Sequence, residues 1–171
     1  NMGLAQDLKT IVKAANILKN YNIYFRFIGE GVCKSEIKKL AEPLMEKIDF
    51  HKSLPRDELI IYIMKASVCL VPLKDKKLFN AAIPSKMFEY MACRKPIIAS
   101  IRGDAKKIID DSNSGIVIDP EDANLLSNAI LSYFNDVQKC EIDGKNGLSF
   151  VSNNLIKEDL ISKMMNKIKN E

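Results

Sequence analysis

Two side chains four residues apart, Ser85 and Glu89, carry the chemistry most easily read from this chain. They lie in the run Ile83-Pro84-Ser85-Lys86-Met87-Phe88-Glu89-Tyr90-Met91-Ala92, where Met87, Phe88, Met91 and Ala92 recur at helical spacing. Pro84 fixes the entry to that helix. Ser85 is placed to cap it, its hydroxyl accepting a bond from an otherwise unpaired backbone N–H. Residues four apart share one helix face, so Glu89 stands one turn behind the start. A helix start presents free N–H groups and partial positive charge, which suits a phosphate. A carboxylate beside it accepts hydrogen bonds from sugar hydroxyls. A phosphate and a diol together are what a nucleotide presents. The plainer reading of Glu89 is an i,i+3 surface ion pair with Lys86.

The elements that must position these groups alternate between helix and apolar strand. Leu8, Ile11, Val12, Ala15, Ile17 and Leu18 recur at helical spacing, and residues 23–28 read as a strand. A helix is expected over 34–41, a short strand over 47–50, and a helix from Pro55 with acids in its first turn. Residues 68–71 are an apolar strand, 74–83 a polar loop, and the strand closing at Ala99 follows the Ser85 helix. Further strand and helix are expected over 115–118 and 121–134, with two helices after that. Strands alternating with helices imply a doubly wound, Rossmann-like parallel sheet. Ligands of such sheets sit outside the carboxyl ends of the strands. The loops at 29–31, 51–55, 73–85 and 100–104 would share that edge.

Composition narrows the function. With 171 residues, 47% of them hydrophobic, the chain can bury a sizeable core. A net charge of +4 from 26 basic and 22 acidic residues suits an anionic ligand. The lysines are dispersed and Trp is absent, so no nucleic-acid partner is indicated. The four cysteines show no Cys-x-x-Cys spacing and there is a single histidine, so no metal site is expected. Reduced cysteines and the lack of a long apolar run suggest a cytoplasmic protein.

From Gly3 to about Tyr133 the chain resembles the donor-binding domain of GT-B glycosyltransferases, in particular retaining enzymes of the family-4 type. The sequence Pro84-Ser85-Lys86-Met87-Phe88-Glu89-Tyr90-Met91-Ala92 is similar to the form written by a bacterial surface-polysaccharide branch. The resemblance implies that Glu89 binds the ribose hydroxyls and that Ser85 and Lys86 hold the diphosphate. It implies further donor contacts at Gly29 and Gly31 and at the backbone of Ser53 and Leu54. The first loop, Gly3 and Gln6, would complete that set. Arg102, Gly103 and Asp104 at another strand exit could touch phosphate or sugar. For Gly29 and Gly31 a simple turn is an equal alternative, and the third Gly of a dinucleotide fingerprint is lacking. His51 is read as a spectator, since no nucleophile or acid can be placed beside it.

Four places depart from the family pattern. Ala81 stands where a carboxylate grips the donor sugar in many relatives. Gln6-Asp7 replaces a pair carrying the cation that grips the diphosphate, so Lys74, Lys76, Lys86 or Arg102 must balance the phosphates. Arg94 replaces a Gly at the helix end, and Lys52 a Gly in the loop after the second strand.

The resemblance implies half of a two-domain enzyme. Residues 1–150 would be the donor domain, and 151–171 an amphipathic helix crossing toward an N-terminal acceptor domain outside this chain. The domain's first strand would also be missing, leaving a central pairing position open. The expected reaction is transfer of a hexosyl group from a nucleoside diphosphate sugar, a UDP-sugar by preference, to a hydroxyl of a polysaccharide or lipid-linked acceptor. No cofactor is expected, and the full-length enzyme would sit peripherally at the inner membrane. The alternatives are a nucleotide-sugar binding subunit that needs a separate acceptor partner, and a structural domain that has lost the site.

Overall fold

A computed structural model of the protein describes residues 2–154. The element order is α1 (Leu8–Ile17), β1 (Phe25–Ile28), α2 (Lys34–Ala41), β2 (Ile48–His51), α3 (Arg56–Lys65), β3 (Cys69–Pro72), α4 (Lys86–Ala92), β4 (Ile97–Ser100), α5 (Asp104–Ser112), β5 (Gly115–Ile118), α6 (Ala123–Asn135) and α7 (Val137–Asn154). Every strand pairing among the described residues is parallel, as the strand–helix alternation predicts.

The helices form two layers. On one face α1, α2 and α6 bury Leu8, Ile11, Val12, Ile37, Leu126 and Ile130 against Phe25, Phe27 and Ile98. On the other, α4, α5 and α7 enclose Val71, Ile97 and Ala99. Alternate residues of a strand point to opposite faces, so Ile97 and Ala99 serve one layer and Ile98 the other. All four residues of β4 are buried, as a strand covered on both sides must be.

The sheet is not one continuous ladder. β1 pairs with β2, and β3, β4 and β5 form a second sheet. The two share one apolar core on the α1 face, where Val68 and Leu70 pack against the cluster that includes Phe25 and Phe27. Pairing between distant segments leaves no mark in local periodicity, so sequence patterning alone does not separate them.

α4 is held from both sides. Met87 and Met91 are fully buried, each contributing about 1.5–3 kcal/mol. α7 lies against its far side, and a Cβ on Gly144 would stand 2.5 Å from the Arg94 carbonyl oxygen. The boundary expected at 150/151 falls inside α7, which runs unbroken to Asn154. The expected crossing helix lies outside the described residues.

Candidate active site

The strand exits converge on one edge. At the end of β1, Gly29 and Gly31 have φ of 132° and 155°, a region that side chains disfavour. A Cβ on Gly31 would stand 2.4 Å from the Met2 carbonyl oxygen, so this glycine lets the first loop lie against the turn. The Met2 N–H donates to the Glu30 carbonyl at 2.8 Å, and the Ala5 carbonyl accepts from Lys74 N–H at 3.0 Å. The first loop therefore links the exits of β1 and β3. Within it the Gly3 N–H donates to Gln6 Oε1 at 3.1 Å, so the Gln6 side-chain carbonyl closes its own loop.

Lys34 stitches the exits of β1 and β2. Its ammonium donates to the Gly29 carbonyl at 2.9 Å, the His51 carbonyl at 3.1 Å and the Glu30 carboxylate at 2.6 Å. His51 Nε2 lies 3.2 Å from Asp49, which also receives Arg26 at 2.8 Å. This ring belongs to a surface ion cluster. Beyond it Ser53 is exposed and Leu54 half-buried, leading into Pro55 and α3.

Glu89 is half-buried on α4, and the Arg56 guanidinium at the start of α3 stands 4.0 Å from its Oε1. This contact, rather than an ion pair with Lys86, is what the structure records. Lys86 is itself half-buried, and burial holds its ammonium below the usual lysine range while the Glu89 charge opposes that shift.

Ser85 does not cap α4 through its hydroxyl, contrary to the expectation above. Its backbone is already helical at φ −55°, ψ −31°, whereas a capping residue needs an extended backbone to aim its oxygen at the next N–H groups. The Pro84 carbonyl takes the Met87 N–H instead, at 3.0 Å. The Ser85 and Lys86 N–H groups precede this bond at the helix entry.

At the exit of β4, Gly103 has φ 71°. A Cβ there would stand 1.9 Å from the Asn80 carbonyl oxygen. That carbonyl also accepts the Asp104 N–H at 2.9 Å, pinning the loop that carries exposed Ala81. Arg102 is already paired with Asp75 at 3.4 Å and Asp119 at 3.1 Å. Asp7 is buried at the start of α1, with one unpartnered carboxylate oxygen. Of the cations named from sequence, Arg102 is thus neutralised, whereas Lys86 lies on α4 beside Glu89.

Sequence reasoning missed Lys34, Arg56 and Asn80. Lys34 had a faint signal, a lysine just beyond Gly-x-Gly at a helix start. Arg56 and Asn80 had none, since their partners are distant in sequence. Two depressions of about 480 and 430 Å³ lie elsewhere, one apolar between α1, α2 and α6, the other beside Arg102 and Asp119. Glu89 lines neither.

The profile of the family described as "Glycosyl transferases group 1" matches residues 2–150. The chain belongs to this group of glycosyltransferases. The Probable glycosyltransferase WbjE of Pseudomonas aeruginosa is 31% identical over 146 residues, covering 84% of this chain but 35% of WbjE. Sucrose-phosphate synthase from Thermosynechococcus elongatus superposes with a TM-score of 0.81 at 24% identity, over 97% of this chain and 42% of that one. HepE of Anabaena in complex with UDP gives 0.78 at 14% identity, over 100% and 47%. The chain thus spans about a third of the length of WbjE. Its fold is that of the C-terminal domain of the GT-B architecture, and the converging strand exits form the edge just described.

Proposed function

We propose that this group 1 glycosyltransferase domain binds a nucleoside diphosphate sugar, a UDP-sugar by preference, and presents its hexosyl group to an acceptor hydroxyl. The observation that carries this reading is the placement of Glu89. Its carboxylate is half-buried on α4, which Met87, Met91 and α7 hold rigidly, with the Lys86 ammonium and the helix entry one turn away. A carboxylate so placed accepts hydrogen bonds from both ribose hydroxyls. The N–H groups of Ser85 and Lys86, with the Lys86 ammonium, then face the diphosphate.

Cleavage of the sugar–phosphate bond leaves negative charge on the departing diphosphate. Preorganised N–H donors and a cation lower the barrier by meeting that charge as it develops. Lys86 suits this role, because a partly desolvated ammonium gains more from an arriving anion than a fully solvated one. The bound UDP of HepE, which shares this fold, supports uridine as the base. The acceptor side would come from an N-terminal domain, in keeping with the partial coverage of WbjE. Retention of configuration follows from the family resemblance alone.

Ala81 bears on the donor. It follows directly on Asn80, whose carbonyl meets Gly103, and the resemblance has a carboxylate for sugar hydroxyls at this position in many relatives. A deoxy or N-acetylated sugar loses least from that change. Turnover restricted to plain glucose or mannose nucleotides would refute this.

Calorimetric titration of the 171-residue chain with UDP, GDP and ADP tests the proposal. Saturable binding of one nucleotide supports it and names the base. A folded sample that binds none of the three contradicts it.

A further inference from the structure

The loop between β3 and α4, residues 73–85, carries Lys74, Lys76 and the entry to the Glu89 helix. It is tied to its surroundings at several points. Near its start the Lys74 N–H donates to the Ala5 carbonyl at 3.0 Å, and further on the Asn80 carbonyl accepts the Asp104 N–H at 2.9 Å. Asp75 lies between these points and is held from two other directions. Its N–H donates to Glu121 Oε1 at 3.4 Å. Its carboxylate meets Arg102 as a fork, with Oδ1 3.4 Å from Nε and Oδ2 3.4 Å from Nη2.

Arg102 is anchored on the rigid side of that contact. It follows the buried Ile101, two residues past the end of β4. Its other terminal nitrogen, Nη1, lies 3.1 Å from Asp119, the residue after β5. One guanidinium therefore joins the exits of β4 and β5 to a loop that leaves β3. A planar fork holds two carboxylates at fixed angles, which a lysine ammonium does not. Glu121 adds to the arrangement from the head of α6. Its backbone has φ 63°, a left-handed conformation that side chains disfavour. Strain of this kind persists where the surroundings hold it, and it clusters at ligand clamps.

We propose that Arg102 is a positioning residue for the diphosphate. It touches no part of the donor. Through Asp75 it fixes the loop that places Lys74, Lys76 and the N–H groups at the entry to α4. The inference rests on the donor reading above. The charges favour this role over direct contact with phosphate. Arg102 is shared between two carboxylates, and with Glu121 the cluster sets one cation against three anions. A phosphate reaching the guanidinium would have to displace Asp75 or Asp119, against the repulsion of the carboxylates that remain. Lys74 and Lys76 ride on the clamped loop itself, so fixing the loop fixes where their charges stand.

Two variants of the 171-residue chain separate positioning from direct contact, Arg102→Gln and Asp75→Asn. Hydrogen exchange in the free chain reads the clamp, and calorimetry with UDP reads its consequence. Each variant should speed exchange at the Lys74 and Asp104 amides, whose bonds tie the loop down, by about five-fold. Each should also weaken UDP by about five-fold, and the double variant little more than either alone. The sign for Asp75→Asn decides between the roles. Removing a carboxylate near a phosphate site strengthens anion binding, unless that carboxylate was holding the site in place. Exchange unchanged in the variants would overturn the proposal, and so would UDP binding that Asp75→Asn leaves equal or tightens. A parent chain that binds no UDP would overturn the donor reading and the role of Arg102 with it. That failure is told apart because it shows in the parent, before any substitution.

Discussion

The Arg56 guanidinium at the head of α3 stands 4.0 Å from the Glu89 carboxylate on α4, joining the exit of β2 to the proposed ribose site. Arg56 is 82% exposed on its side chain, so the pair is well screened. Arg56→Ala should leave stability within about 0.5 kcal/mol of the parent, as urea unfolding can show. A larger loss would mean that Arg56 packs as well as pairs.

Gly103 should be intolerant of a side chain. Ala at this position meets the Asn80 carbonyl and is forced to a positive φ. Gly103→Ala is expected to cost more than about 2 kcal/mol, from strain and displacement of the Asn80 loop together. A variant that unfolds at the parent's urea midpoint would show that the loop moves freely aside.

Arg94 occupies a left-handed conformation with φ 57° at the end of α4, where the Lys95 N–H reaches back to the Tyr90 carbonyl at 3.0 Å. The resemblance has Gly at this position, and the geometry explains why. An L side chain in that region costs about 1–2 kcal/mol, offset in part by the extra freedom of Gly in the unfolded chain. Arg94→Gly should therefore raise stability by about 0.5–1 kcal/mol. A fall in melting temperature would contradict this.

Asp49 gives the protein a pH dependence. Desolvation raises its pKa, but hydrogen bonds from Arg26 and His51 more than reverse that, and the net shift is downward. A carboxyl whose folded pKa is depressed stabilises the fold above its unfolded pKa, and loses that effect as pH falls through the folded one. Since Asp49 is half-exposed, its contribution is under about 1 kcal/mol. Asp49→Asn should be the less stable form near pH 7, with the difference closing below about pH 4. An equal difference at both pH values would assign the effect to packing.

Much of this fold was legible because its elements are amphipathic. Leu8, Ile11, Val12, Ala15 and Leu18 are buried as spacing predicts, and so are Met87 and Met91, but Ile17, read on the same stripe, is 47% exposed at the last turn of α1. Boundaries were less legible. Residues 23 and 24 read as strand, but Tyr24 is 68% exposed and lies before the pairing that begins at Phe25. Ser85 failed as a cap because side-chain chemistry does not reveal that its backbone is already helical. The split sheet and the Arg56–Glu89 contact join segments distant along the chain, and no local pattern records them. The motif around Glu89 could be read because helix face, entry and following strand lie in one short run.

The most direct test of the central claim asks whether Glu89 reads the ribose diol. Binding of UDP and of its 2′,3′-dideoxy analogue would be measured by calorimetry on the parent chain and on Glu89→Gln. Loss of charge-assisted hydrogen bonds should weaken UDP about 10-fold or more in the variant. The dideoxy analogue should bind the parent and the variant alike. A substitution that weakens both ligands equally, or neither, would contradict the assignment of Glu89 to the ribose.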